Sequence, residues 1–533
     1  MKSILSWLRG LPMTKTEPEL QQAIYHALSL HEAGKLKEAK STYRKLLRRH
    51  PDNPDILHLS GLLLRQMGQT DAAIDQLTRA ASLVPESFDV HLHLFQALAS
   101  AQKVPEIEST LRILEGISPN DAYILAQLGE VLVRQDQSGE AEPYFRRSLE
   151  EDPSTISAWN GLGTILERRG KFAEAEECFR KSIELEPDRA ESHYNLGNVL
   201  RQQNQIENSI NALIRAVTLD PEFKLAHVHL AFSLFMDGQY TAAWPEYEWR
   251  WKIPNFPTPE RPFRQPKWSG EPLSGKRILV HAEQGFGDTI QFARFVENLV
   301  EQGGEVIIEC PPALTNLMKS TSGVSQVLAR GDALPEFDIH VPLLSIPGIL
   351  SMDLNDIPKR TPYLHAPDHV QIAGLGQTDS PELLKIGITW QTSKDQLSSS
   401  FKSCPLQAYT PLFDLKHVTW ISLQKEISET DQPLPSFLMD ISQSLGDFAD
   451  TAAAIEQLDL VISMDTAVAH LAGALGKPVW LLLSTAGDWR WMVDRDDSPW
   501  YPTMRIFRQT QFGNWESVFR QLVPILKDIC VEN

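Results

Sequence analysis

Two turns in this chain carry the residue types best suited to chemistry. The first is Gln284-Gly285-Phe286-Gly287-Asp288, with one carboxylate beside two glycines. The second is Asp465-Thr466-Ala467-Val468-Ala469-His470, with a carboxylate, a hydroxyl and an imidazole. Glycines at 285 and 287 let a ligand approach the backbone, and a helix that starts there aims its positive N-terminus at the same spot. Asp288 stands at that start. As an N-cap it would stabilise the helix by about 1 kcal/mol; at a cleft edge the same carboxylate can also accept a proton. The two roles are compatible, and Asp288→Asn is expected to leave stability nearly intact. In the second turn Thr466 and His470 lie four residues apart, on one face of a helix. A hydroxyl, an imidazole and backbone N–H groups at a helix start suit a diphosphate. The plainer alternative makes Asp465 the cap and His470 a core histidine bonded to a backbone carbonyl.

The segments around these turns read as alternating strand and helix. Strands are predicted at Arg277–His281, Glu305–Glu309, Val324–Leu328, Lys385–Trp390, Val418–Leu423, Leu458–Ser463 and Pro478–Leu483. Amphipathic or helical stretches occur at Asp288–Glu301, Phe448–Gln457 and Thr466–Leu475, and a looser stretch runs to about Ser380. Apolar runs suited to burial on both faces, in two successive series, imply two lobes of doubly wound sheet. In such sheets ligands bind beyond the carboxyl ends of strands, where both turns stand.

The preceding part of the chain has a different period. Pro51, Pro85, Pro119, Pro153, Pro187 and Pro221 succeed one another at a constant 34-residue interval. Gly61, Gly129, Gly163 and Gly197 recur in step, as do Ala73, Ala141 and Ala175, and the aromatic set Tyr43, Phe145 and Phe179. The pattern resembles the tetratricopeptide repeat, a helix pair stacked into a solenoid. Seven units fit residues 20–253, starting near Leu20, Pro54, Phe88, Ala122, Ile156, Ala190 and Lys224, behind a leader at 1–19. The unit from Phe88 is degenerate, with Phe95 in the Gly position and Ile107 in the Ala position. The resemblance implies a continuous curved surface that binds a partner, weakest at that unit.

Residues 254–275 are a connector: prolines at 254, 257, 259, 262, 266 and 272 forbid helix and central strand. Phe256, Phe263 and Trp268 make it a strap packed on its neighbours instead of a flexible tether. Eleven of the thirteen tryptophans lie after residue 240, which reads mostly as core packing.

Bulk composition narrows the classes. With 533 residues and 42% apolar residues the chain is globular and larger than one domain. A net charge of −19 argues against nucleic acid as a partner. Cys178, Cys310, Cys404 and Cys530 show no metal-ligand or redox spacing and read as reduced thiols. The opening Met1–Arg9 is too short in apolar residues for a signal peptide, and no run is long enough to span a bilayer. The expected location is the cytoplasm.

The second turn and its helix, Asp465-Thr466-x-x-x-His470-Leu471-Ala472-x-Ala474-Leu475-Gly476-x-Pro478, resemble the nucleotide-sugar motif of glycosyltransferase family 9, the heptosyltransferase family. The Gly285-x-Gly287-Asp288 turn is similar to that family's N-terminal loop, and Lys402-Ser403-Cys404-Pro405 to its basic segment. The likeness covers roughly residues 276–525. It implies the two-lobed GT-B fold, with residues 276–380 on the acceptor side and 381–533 on the nucleotide-sugar side, with Asp288 as general base. Lys402, Asp465, Thr466 and His470 would hold the donor, with Gln284, Gly285 and Gly287 in the first loop and no metal or other cofactor. One departure is Ala467, where the family has Gly. Repeats joined to such a domain are also similar to the architecture of O-linked N-acetylglucosamine transferases, where asparagines on the repeats meet protein substrates. Asn160, Asn195 and Asn198 lie on first helices here, where solvated Asn is the commoner reading.

Other candidates carry less. Lys425 follows a strand and either meets a phosphate or is simply exposed. Asp494-Arg495-Asp496 spells a metal-dependent transferase motif but reads as a solvated turn. Trp489-Arg490-Trp491 stacks on a ligand or packs in the core with Arg490 held by that acidic turn. The expectation is a glycosyltransferase whose repeats bind a protein or glycan acceptor. The competing one is a non-catalytic scaffold with a degenerate nucleotide-binding domain, which Ala467 and the irregular segment 393–402 keep open.

Overall fold

The computed structural model describes residues 18–370, 372, 375, 383–392, 403–485 and 487–532. Within them the N-terminal part is a solenoid of tetratricopeptide repeats. First helices start at Pro18, Pro54, Phe88, Ala122, Ile156, Ala190 and Lys224, and second helices at Leu36, Thr70, Val104, Ser138, Phe172, Ile206 and Tyr240. The spacing has a packing cause. A Cβ on Gly61, Gly129, Gly163 or Gly197 would come within 2.6 Å of Leu77, Phe145, Phe179 or Leu213 on the paired helix. Glycine is therefore what lets each pair close. In the unit from Phe88, Phe95 takes that position; its ring is buried and meets Tyr123 edge-on at 6.4 Å.

The turns between units are satisfied by side chains. His91, Trp159 and His227 each donate a ring N–H to the carbonyl of the proline six residues earlier, at 2.8–3.0 Å. Asn53 and Asp121 accept the N–H of Ile56 and Ile124 at 3.0 Å and cap the helices that begin there. The chain forms two compact units, one ending at Asp188 and the other starting at Arg189. The last two repeats thus belong to the same unit as the strap and the sheets.

That unit contains two parallel sheets. The first has the order β3-β2-β1-β4, with β1 Arg277–His281, β2 Glu305–Cys310, β3 Val324–Ala329 and β4 Ile339–Pro342. The second has the order β10-β9-β8-β5-β6-β7. Its strands are β5 Leu384–Thr389, β6 Val418–Ser422, β7 Leu438–Asp440, β8 Leu460–Met464, β9 Val479–Leu483 and β10 Met504–Arg508. Strand order reverses between β1 and β4 and between β5 and β8. Such reversals open a crevice beyond the strand ends, and the turns at 284–288 and 465–470 come directly after β1 and β8.

The stretch expected as one helix from Asp288 to Glu301 is broken: Phe286–Phe292, a 3₁₀ turn Ala293–Phe295, then Val296–Glu301. The connector is a strap on the first sheet. Trp268 N–H donates to His340 O at 2.8 Å and His340 N–H to Pro266 O at 3.1 Å, so the strap runs beside β4. Arg261 pairs with the buried Glu309 at 2.6 Å, and Phe263 packs on His340 with ring centres 4.8 Å apart. Among the described residues no helix is long and apolar enough to cross a membrane.

One buried pair in the first unit makes its stability depend on pH. His58 and His93, from neighbouring first helices, share a hydrogen bond of 2.8 Å between Nε2 and Nδ1. Burial pushes His58 down to about 3 and His93 to about 4, with the facing ring and Arg65 adding to the effect. Each ring binds a proton more weakly folded than unfolded, so the stability is complete above about pH 6.5 and is lost as pH falls toward 4. Each proton taken up contributes a slope of about 1.4 kcal/mol per pH unit. Urea unfolding at pH 7.5 and pH 5 should show a smaller pH effect in a His58→Leu/His93→Leu chain than in the parent. Equal pH effects in the two chains would show that the pair has no such role.

Candidate functional site

The turn after β1 is built around Asp288. Gly285 is the N-cap of the helix Phe286–Phe292, and Asp288 is its third residue, not its cap. Asp288 Oδ2 reaches back to accept the Gly285 N–H at 2.8 Å, which fixes the carboxylate at the helix start. Asp288 Oδ1 accepts from Arg490 Nη2. Arg490 also donates Nη1 to Asp488 Oδ1 at 2.7 Å and Nε to Gln291 Oε1, and lies over the Trp489 ring at 4.3 Å. Burial alone would lower the proton affinity of Arg490; Asp488 and Asp288 outweigh that and raise it, so it is a fixed cation. The Asp288 side chain keeps 19% of its exposure and stays reachable from solvent.

The turn after β8 brings Asp465, Thr466 and His470 together. Thr466 is the N-cap of the helix Ala467–Ala474; Asp465, the cap in the plainer alternative, instead accepts the Trp491 Nε1–H at 3.0 Å. Caps are decided by backbone angles, and Thr466 is the residue in the extended conformation at the helix start. Thr466 Oγ1 lies 3.2 Å from Ser463 Oγ. His470 is 6% exposed, as a core histidine would be, but its Nδ1 lies 2.9 Å from the Tyr501 hydroxyl, a side-chain partner in place of the backbone carbonyl of the plainer alternative. Its ring stacks on Trp491 with centres 5.2 Å apart. Burial, with Arg490 nearby, pushes His470 down to about 3 against the pull of Asp465 and Asp488, so the ring is neutral at pH 7. It offers a hydrogen bond, not a charge.

The two turns touch. A Cβ on Gly287 would lie 2.9 Å from His470 Cδ2 and 3.6 Å from Ala467 Cα. The glycine at 287 is therefore required for space. The methyl group of Ala467, the departure from the family motif, sits on the residue against which Gly287 packs. Gln284, Gly285, Gly287 and Asp288 thus share one site with Asp465, Thr466 and His470, joined by Trp489-Arg490-Trp491.

Other expected residues fall elsewhere. Lys425 is exposed and donates Nζ to Gly446 O at 2.6 Å, just before the helix Phe448–Glu456. It takes no part in the contacts between the two turns. Lys402 and the segment 393–402 lie outside the described residues. Arg490 is held by Asp288 and Asp488, not by the acidic turn; there Arg495 pairs with Asp497 at 2.7 Å. Asn160 and Asn198 are 6% and 8% exposed, so they are not the solvated side chains expected; Asn198 Oδ1 meets His229 Nδ1 at 2.5 Å. Asp488, Gln291 and Tyr501 went unnoticed in the sequence. Asp488 had a usable signal, an acid two residues before a buried arginine; Gln291 and Tyr501 had none.

Comparisons support the repeats. Models of the tetratricopeptide repeat match residues 26–86, 122–155, 154–222 and 194–251. The chain is 26% identical over 326 residues to Protein FlbA of Caulobacter vibrioides, covering 55% of this chain and 53% of that protein. It therefore spans about half the length of the curated relative it matches. Among solved structures it is similar to YrrB, described as a TPR protein with an unusual peptide-binding site. That likeness is 20% identical, covers 34% of this chain and 95% of the other, and has a TM-score of 0.30. A tetratricopeptide repeat protein from Parabacteroides merdae is 15% identical over 44% of this chain and 92% of its own, with a TM-score of 0.37.

The contact between the turns is open to test through stability. Gly287→Ala forces His470 or the second helix to shift, at a cost of about 1–3 kcal/mol for overpacking. Asp288→Asn leaves Arg490 buried with one carboxylate fewer, so it should cost about 1–3 kcal/mol, in contrast to the near-neutral effect expected from a simple cap. Chemical unfolding of the purified variants reads both. A Gly287→Ala chain as stable as the parent would mean that the turns do not meet.

Proposed function

We propose that this chain is a metal-independent glycosyltransferase that moves a sugar from a nucleotide-sugar to an acceptor held by the repeats. We read the two parallel sheets as the halves of a GT-B-type enzyme, in line with the resemblance to glycosyltransferase family 9. The observation that carries the reading is the meeting of the two strand-end turns, which puts a reachable carboxylate beside the start of a helix that suits a diphosphate. Asp288 takes the proton of an acceptor hydroxyl, whose oxygen attacks the anomeric carbon. The bond from that carbon to the diphosphate breaks, and the nucleoside diphosphate leaves with the electron pair. Thr466, the Asp465 turn and the neutral His470 hold the departing phosphates by hydrogen bonds, with Lys402 supplying charge. The acceptor is a protein or a glycan, and the four free thiols fit a reducing cytoplasm.

A second reading has one observation in its favour: the ion pair with Arg490 gives Asp288 a structural task of its own, as a scaffold would need. Hydrolysis of uridine, guanosine, adenosine and thymidine diphosphate sugars separates the two. The enzyme turns over at least one donor, and Asp288→Asn lowers that turnover by about a hundredfold or more. No turnover with any of the four series leaves only the scaffold. Deletion of residues 20–152 should spare hydrolysis and abolish transfer to the natural acceptor. Full transfer by the shortened chain would mean that the repeats do not present the acceptor.

A further inference from the structure

The last repeat does not end at the solenoid. Its second helix finishes at Tyr247, and the 3₁₀ turn Glu248–Lys252 begins at once. Both reach the turn that carries Asp288. Gln284 Nε2 donates to the Tyr247 hydroxyl at 2.7 Å. Arg250 grips Glu283 with two parallel bonds, Nε to Oε2 at 3.0 Å and Nη2 to Oε1 at 2.8 Å. Its remaining donors meet Glu248 Oε1 at 2.6 Å, Ser345 Oγ at 2.9 Å and Tyr247 O at 3.2 Å. Arg250 is 1% exposed and Glu283 is not exposed at all.

Attachment alone does not require this arrangement. A buried ion pair is no more stable than well-packed apolar side chains of the same volume, but it fixes direction and distance. The residues so fixed, 283 and 284, directly precede the Gly285 N–H that holds Asp288. Gln284 has a φ of +59°, which a non-glycine residue keeps only where its surroundings impose it. Those surroundings are Tyr247 from the repeat and Thr258 from the strap, whose Oγ1 accepts the Gln284 N–H at 2.9 Å. A second route leads from the same repeat to the other side of Asp288. Phe235 stacks on Trp489 with ring centres 4.4 Å apart, and the next residue, Arg490, binds the carboxylate.

We propose that Tyr247 and Arg250 are positioning residues: the last repeat holds the turn at Glu283–Gln284 in the conformation that aims Asp288. Displacement of the final helix pair, by a partner on the repeats for example, then changes turnover without touching the donor. The proposal rests on Asp288 as the base, but its structural half can be read by itself.

Two mild variants test it in the full chain. Tyr247→Phe removes one oxygen and opens no cavity; Gln284→Gly tolerates the positive φ yet loses the bond to Tyr247. Both should unfold at nearly the parent's urea midpoint. Amide exchange at Gln284, Gly285 and Thr289 should rise about tenfold or more. With a nucleotide-sugar from the hydrolysis panel, kcat should fall about tenfold while KM stays within about twofold. Unchanged exchange at these amides overturns the proposal whatever the turnover. Raised exchange with kcat unchanged overturns the positioning role. Raised exchange in a chain whose parent turns over no donor supports the hold on the turn and removes the glycosyltransferase reading alone.

Discussion

Arg490 is a buried cation between carboxylates from two different places: Asp288, on the turn after β1, and Asp488, on the loop after β9. A guanidinium stays charged at any working pH, so its burial here is compensated by the two carboxylates that face it, and taking one away leaves that charge less well paired. The need to neutralise one guanidinium therefore ties the end of the first sheet to the end of the second. Its neighbours extend the tie. Trp489 stacks on Phe235 of the last repeat, and Trp491 donates to Asp465 after β8. Three consecutive residues thus each hold a different element, and the site takes its shape from them.

Topology explains why the tie lies where chemistry is expected. In both sheets the strand order reverses beside the strand that precedes a candidate turn, at β1 next to β4 and at β8 next to β5. In doubly wound sheets generally, helices leaving such strands diverge and uncover a crevice. Here the two turns face each other closely enough that Gly287 has no room for a methyl group. The residue next to the Asp288 carboxylate thus touches the helix start of the other turn, with no long side chain needed to bridge them.

The sequence revealed the parts of this arrangement that leave a local mark. Helix starts at Pro54, Phe88, Ala122, Ile156, Ala190 and Lys224 were legible because the prolines and glycines recur with the repeat. Seven strands were legible, six as apolar runs that are largely buried and β3 by its valines and leucine alone, since none of its residues is buried. β4 was not, being four residues that follow Asp338 and end in Pro342; nor were β7, three residues long, and β10, whose Arg505 and Arg508 hide an edge strand. The two turns stood out by their glycines and carboxylates. Their partners did not, because Arg490 lies 202 residues from Asp288 and Tyr501 lies 31 from His470. No period or propensity encodes a contact at such a separation. The caps were misplaced for a related reason: which of Asp465 and Thr466 caps a helix depends on backbone angles that tertiary contacts set.

The polar character of these ties has a consequence for how the site can work. Apolar side chains of equal volume would hold the same elements at least as firmly, but they allow sliding and rotation with little change in energy. The forked bonds of Arg250 on Glu283, the indole N–H of Trp491 on Asp465 and the hydroxyl of Tyr247 under Gln284 each accept only a narrow range of angles. A small rotation of any one element would break a bond outright. The turns are thus held in one arrangement until enough energy arrives to release a buried charge. A site built this way is rigid at rest and, where it responds, responds by a step.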